Sequence, residues 1–168
     1  MPLATAAQRD ALELFIASLC NVRWLAHAGD PDGAAIVADD LVDAWDAWNA
    51  EMVTAWAPQT ERLEGIARAE LGEAGVDAVF DTVSRAVDAP LRAAMEDYFE
   101  NRSTDATNAD RGLWPEWLDT VKRDLAWAAV EAVLGRPGFF TDLLRYYRAG
   151  RWPCGFENAD GGKRVVLL

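Results

Sequence analysis

Apolar residues recur every three or four positions along most of this chain, which is the period of an amphipathic α-helix. The first stripe predicts a helix over residues 4–28, ending at the glycine- and proline-rich turn 29–33. A second helix is predicted over residues 32–56, with aspartates on the face opposite its apolar stripe. The members of that second stripe are Leu41, Trp45, Trp48 and Met52.

The same period continues through two more helices. Pro58 and the cap-like Thr60 mark the start of the third helix, which is predicted to end near Gly75. The fourth begins at Val76, and Pro90 either kinks it or starts a new turn, because proline lacks the N–H that a helix interior uses.

Two helices are predicted in the C-terminal third of the chain. A polar loop over residues 101–112 precedes a helix over 114–134, which carries Pro115 in its first turn. Apolar residues cover more than one face of this helix, so it is expected to be the central and most buried one. A short sixth helix covers residues 139–148 and ends at Gly150.

The pattern changes after this helix. Apolar side chains alternate over residues 152–156, turn-forming residues fill 158–162, and residues 164–168 are mainly apolar, with two β-branched valines. These features predict a hairpin, which must pack on the helices because an isolated hairpin is marginally stable in water. The sequence therefore predicts the all-α class: a bundle of five or six helices in a single domain, 1–168, with 151–168 as a packed C-terminal hairpin.

Composition narrows the classes of partner. The 168 residues carry a formal charge of −12, which argues against a nucleic-acid binder and is compatible with a protein partner that has a basic surface. The sequence shows neither a signal peptide nor a membrane-spanning run, and its two cysteines make no disulfide framework. A cytoplasmic location with reduced thiols is expected.

One acidic face stands out on the second predicted helix. Asp39, Asp43 and Asp46 could converge on a metal ion if they faced Glu96 or Glu100, since carboxylate oxygens suit Mg²⁺ and Mn²⁺. The Glu-x-x-His pair of helical di-metal sites is absent, which favours a solvated face turned toward a partner. We therefore expect no metal and no cofactor.

No catalytic residues are predicted. The single histidine, His27, lies seven residues after Cys20, or about 10 Å along a helix, which is too far for a nucleophile–base hydrogen bond. Cys154 could be activated by backbone amides in a tight turn, but a packed and inert thiol is the favoured interpretation.

Aromatic and basic residues gather near the C-terminus. Five arginines there either form an anion site or pair with the chain's own carboxylates; they are Arg136, Arg145, Arg148, Arg151 and Arg164. The candidate binding residues are Tyr147, Arg148, Arg151 and Trp152. Four of the eight tryptophans are predicted to be core: Trp45, Trp48, Trp117 and Trp127.

The segment Tyr-Tyr-Arg-Ala-Gly-Arg-Trp-Pro-Cys-Gly-Phe over residues 146–156 resembles the C-termini of small uncharacterised bacterial proteins, in which a helix runs into a Gly-Arg/His-Trp-Pro-Cys-Gly-aromatic hairpin. Some such families resemble immunity proteins of bacterial toxin systems. The resemblance covers about twenty residues and carries no catalytic residues to this chain. The charge of −12, the surplus of tryptophan and the lack of a catalytic set favour a non-enzymatic protein-binding module.

Two functions follow as hypotheses. The first is a cytoplasmic, immunity-like protein that covers a basic partner. The alternative is a small-ligand-binding or enzymatic helical protein with its site at the arginine- and aromatic-rich C-terminal junction.

Overall fold

The computed structural model describes residues 3–20, 57–101, 114–148, 153–159 and 162–167. Within these residues the chain is mainly α-helical, as predicted. Five helices are present there: α1 (Ala6–Cys20), α2 (57–71), α3 (Glu73–Asn101), α4 (Trp114–Leu134) and α5 (Phe139–Arg148). The predicted helix over 32–56 and most of the predicted polar loop lie outside the described residues.

Helix α4 is the centre of the fold. Residues 124–131 are all buried, so two full turns of this helix are enclosed on every side. Helices α1, α3 and α5 each pack against α4, and Leu63 and Ala67 of α2 belong to the same apolar core. Among the described helices, α4 is thus the central one with the longest run of buried residues, as predicted for 114–134.

The break between α2 and α3 differs from the predicted one. Helix α2 ends at Gly72, whose φ of 71° is a conformation that glycine adopts without a Cβ clash. The Gly72 carbonyl accepts hydrogen bonds from the N–H groups of Gly75 (3.2 Å) and Val76 (3.1 Å) and so starts the next helix. The predicted end near Gly75 is wrong, because Gly75 is buried inside the first turn of α3.

Two smaller boundary predictions have different outcomes. Helix α3 runs without a break through Pro90, so this proline lies inside a helix and does not end it. The missing N–H leaves the Ala86 carbonyl without its usual partner, which favours a bend at this point. Thr60 follows three helical residues of α2 and is therefore not the cap that its sequence context predicts.

Two glycines of this region are expected to respond to alanine with opposite signs. Nothing lies within 4 Å of a Cβ built on Gly65, in the exposed middle of α2, so Gly65→Ala should stabilise the protein by about 0.5–1 kcal/mol. A Cβ on Gly75 would lie 2.9 Å from Leu71 Cβ, so Gly75→Ala should destabilise it by about 1–3 kcal/mol. Urea unfolding measures both, and equal effects of the two changes would contradict the close approach of Leu71 to Gly75.

Two antiparallel strands follow the helices: β1 (Pro153–Ala159) and β2 (Gly162–Leu167). Phe156 pairs with Val165 and Glu157 with Arg164, and the register is irregular between Pro153 and Gly155. The predicted Asp-Gly turn lies outside the described residues, and the structure does not describe the side chains of the two strands. The packing of this hairpin against the helices thus stays a prediction.

Candidate functional site

A surface cleft of about 420 Å³ lies where α2, α3 and α4 meet. Four carboxylates and one guanidinium line it, together with three apolar side chains. The charged members are Glu64, Arg68, Glu73, Asp77 and Asp81. The apolar members are Val76, Phe80 and Trp127. The cleft therefore combines an acidic wall with an apolar floor.

The sequence of α3 explains how this combination arises. Glu73, Asp77 and Asp81 are spaced four residues apart, so they form one row on successive turns of the helix. The adjoining row contains the half-buried Val76 and Phe80, which continue into the core. The cleft follows the line along α3 where the solvated face meets the buried one.

The acidic row has a basic neighbour on α3, Arg85, whose Nε donates a hydrogen bond to the Asp81 backbone carbonyl at 3.0 Å. Glu64 on α2 pairs with Arg68, at 2.7 Å between Oε1 and Nη2. None of Glu73, Asp77 and Asp81 forms an ion pair with any residue that the structure describes. Four carboxylates against one guanidinium leave the cleft with a formal charge of −3. This excess attracts cations from solution.

A carboxylate farther along the same helix shows the opposite arrangement. Asp88 accepts hydrogen bonds from Arg92 Nε, at 2.9 Å, and from Lys122 Nζ on α4. These bonds, the one from Arg92 first, lower the pKa of Asp88 to about 2. Asp88 thus ties α3 to α4, whereas the row Glu73, Asp77 and Asp81 makes no comparable tie.

The floor of the cleft is part of the core. Trp127 of α4 is only 5% exposed, which confirms its predicted place in the core. Its ring meets Phe80 edge to face, with centroids 4.9 Å apart, and stacks on Phe140 with centroids 6.1 Å apart. Packing on both sides fixes the floor in place, so a ligand meets a preformed apolar surface.

The described lining of the cleft consists of carboxylates, a guanidinium and apolar side chains. Among these described residues there is no histidine, cysteine or hydroxyl group that could form a nucleophile–base pair. Among the described side chains, no three His, Cys, Asp or Glu groups converge in a way that could hold a metal ion. The acidic row is an extended wall, and it matches an elongated organic cation with an apolar part.

Outside the cleft, a carboxylate that the sequence analysis did not single out is buried between α4 and α5. Glu131 is 4% exposed, and its Oε2 accepts hydrogen bonds from Gly138 N (3.0 Å), Thr141 N (2.7 Å) and Thr141 Oγ1 (2.6 Å). Its Oε1 accepts one from Phe140 N at 3.3 Å. Glu131 therefore caps the N-terminus of α5, where unpaired N–H groups and the helix dipole favour a negative charge.

The residues predicted as sites fall mostly beyond the described part of the chain. Tyr147 and Arg148 lie in the last turn of α5, where the structure describes the backbone but not the side chains. The other five predicted site residues are outside the described residues. Those five are Asp39, Asp43, Asp46, Arg151 and Trp152. Arg136, from the predicted basic cluster, pairs with Glu70 of α2 at 2.7 Å, which is the internal pairing offered as the alternative.

Comparison of the chain with protein-family models, curated proteins and solved structures finds no match. The resemblance of residues 146–156 to small bacterial helical proteins therefore stays a prediction. None of the described helices is both long enough and apolar enough to cross a membrane.

Proposed function

We propose that the protein is a non-enzymatic, cytoplasmic protein-binding module that covers a basic surface of its partner, as immunity proteins of bacterial toxin systems do. The observation that supports this proposal is the cleft beside α3, with its excess of carboxylates above an apolar floor. Interfaces commonly place an anchoring side chain in an apolar pocket and use complementary charge to guide the encounter. The cleft offers both features in one place.

The acidic row is subject to two opposing electrostatic effects. Asp77 has a like charge four residues away on each side, at Glu73 and Asp81, and each such pair destabilises a helix by about 0.2–0.5 kcal/mol. Glu73 lies in the first turn of α3, where the helix dipole favours a negative charge. A basic partner would supply a counter-charge to the row and reduce the repulsion between Asp77 and Asp81.

In the complete proposal, the helical bundle carries the cleft and the hairpin packs on its side. Asp39, Asp43 and Asp46 add a second acidic face turned toward the partner, following the sequence pattern. The formal charge of −12 extends the attraction beyond the cleft and raises the rate of association with a basic protein.

The double variant Asp77→Asn/Asp81→Asn is expected to lose the partner while folding at least as well as the wild type. Immobilised proteins are incubated with lysate of cells that carry the gene, and retained proteins are quantified by mass spectrometry at low salt and at about 0.5 M salt. We expect a basic protein to be retained at low salt, and its recovery to fall about tenfold for the cleft variant. The purified partner must then bind with the same difference.

The matched control is Asp10→Asn/Glu13→Gln, which makes the same change of net charge on exposed residues of α1 away from the cleft. It should retain the partner nearly as well as the wild type. Equal losses for both double variants would assign the attraction to net charge and contradict the role of the cleft. Recovery of no partner at either salt concentration would contradict the proposed function.

A further inference from the structure

The cleft has the features of a receptor for one particular side chain. We infer that the group it takes from the partner is the guanidinium of an arginine, seated against the apolar floor and paired with Asp77 and Asp81. This inference rests on the proposed function and names the chemical group that the basic partner contributes.

The two surfaces of the cleft match the two parts of an arginine. A guanidinium is planar and weakly hydrated, so its flat face tolerates contact with an aromatic ring such as Phe80. Its edge presents five N–H donors, which suits a wall of carboxylates that lack internal partners. A lysine ammonium is compact and strongly hydrated, and it gains less from an apolar floor.

On the α2 side the cleft is lined by the chain's own Arg68, whose side chain is 57% exposed. Its guanidinium lines the cleft and pairs with Glu64, which neutralises the wall contributed by α2. The lining carboxylates that form no ion pair with a described residue all lie on α3, so the incoming arginine is directed to the opposite side, toward Asp77 and Asp81. Charge complementarity thus fixes both the kind of occupant and its place.

The size of the cleft is consistent with a single long side chain. A volume of about 420 Å³ lies near the lower end of the range for small-ligand clefts, about 300–1,000 Å³. One extended side chain with its flanking backbone fits such a space, whereas a whole helix needs a longer groove. The partner is therefore expected to present its arginine from a protruding loop or chain end.

Three capped tripeptides test this inference directly: Ac-Gly-Arg-Gly-NH₂, its lysine counterpart, and its citrulline counterpart, in which a neutral urea replaces the guanidinium. Each is titrated at constant ionic strength into ¹⁵N-labelled protein, and the amide shifts are mapped. We expect saturable shifts centred on residues 73–81 for the arginine peptide, at least about threefold weaker binding for lysine, and none for citrulline. Asp77→Asn/Asp81→Asn should weaken arginine binding about tenfold, and Asp10→Asn/Glu13→Gln should leave it unchanged.

The outcomes separate this inference from the broader function. Equal binding of the arginine and lysine peptides at the cleft would overturn the choice of arginine while leaving a basic partner in place. Equal affinity for the arginine and citrulline peptides would overturn the pairing with the acidic row. Affinity for the arginine peptide that Asp77→Asn/Asp81→Asn leaves unchanged would do the same. Absence of saturable shifts over residues 73–81 would overturn the inference itself, and the lysate experiment would still decide whether a basic partner exists.

Discussion

Replacing Glu131 by alanine is expected to lower the free energy of unfolding by about 3–4 kcal/mol, a large effect for a single substitution. The carboxylate is buried, and it is the acceptor for three backbone N–H groups and the Thr141 hydroxyl at the start of α5. Alanine removes every one of these acceptor interactions and leaves donors unsatisfied between α4 and α5. Urea unfolding, with the midpoint and slope fitted together, measures the loss.

Two further variants test whether the cap itself is responsible. Glu131→Gln keeps the shape and one acceptor oxygen, so its effect should be intermediate. A Cβ on Gly138 would lie 2.7 Å from Glu131 Oε1, so Gly138→Ala should displace the carboxylate and destabilise in the same direction. Glu13→Ala, an exposed control on α1, should stay within about 0.5 kcal/mol. A loss below about 1 kcal/mol for Glu131→Ala would show that the cap does not hold α5.

The helices of the C-terminal third were predictable because their ends carry local signals. Pro115 occupies the first turn of α4, and Gly135, with a φ of 64°, ends it. The Gly135 N–H bonds to the Ala132 carbonyl and the Arg136 N–H to the Glu131 carbonyl, which is the paired pattern of a glycine-terminated helix. Such an end depends on residues close in sequence, so a local pattern is enough to predict it.

The end of α2 was not predictable in the same way. Gly72 and Gly75 are both suited to end a helix, and the sequence does not tell which of them adopts a positive φ. In the structure Gly72 adopts it, and the Gly72 carbonyl accepts the N–H groups of Gly75 and Val76, which takes Gly75 into the next helix. A Cβ built at Gly75 would meet Leu71 Cβ at 2.9 Å and a methyl group of Leu3 at 3.8 Å, so this position has little room for a larger residue.

The cleft shows a similar limit at the level of function. The acidic row on α3 has the same kind of spacing as Asp39, Asp43 and Asp46, which the sequence favoured as a partner-facing set. A spacing pattern identifies a solvated helix face, but it does not tell which face borders an open cleft. That distinction comes from Trp127, which approaches Phe80 from a helix more than forty residues away in sequence.

Glu131 illustrates the same limit for a buried charge. It stands in an otherwise apolar run of α4, and helical position alone predicts a core-facing residue with no partner. Its partners are the N–H groups at the start of the next helix, seven to ten residues later. The turn around Gly135, which returns the chain toward α4, makes these bonds possible and makes a carboxylate acceptable there.

Trp127→Ala is expected to destabilise the protein by about 3–5 kcal/mol, because it removes a buried indole of the central helix from between two other aromatic rings. The cavity would open directly beneath the cleft, so Phe80 would lose the ring that supports it. Thermal and urea unfolding measure the loss of stability. The loss of support for Phe80 should also weaken binding of the arginine tripeptide. Titration at a temperature where the variant stays folded measures this effect.

Conservative variants separate the two roles of this ring. Trp127→Phe keeps an aromatic core and should lose less stability than Trp127→Ala. Phe80→Leu acts at the half-buried edge, so it should reduce arginine binding more than it reduces stability. Combining Trp127→Phe with Phe80→Leu should give a non-additive change of about 0.5–1.5 kcal/mol, because the two rings touch. Strict additivity would mean that the rings act independently, and the floor of the cleft would then not be held by the core.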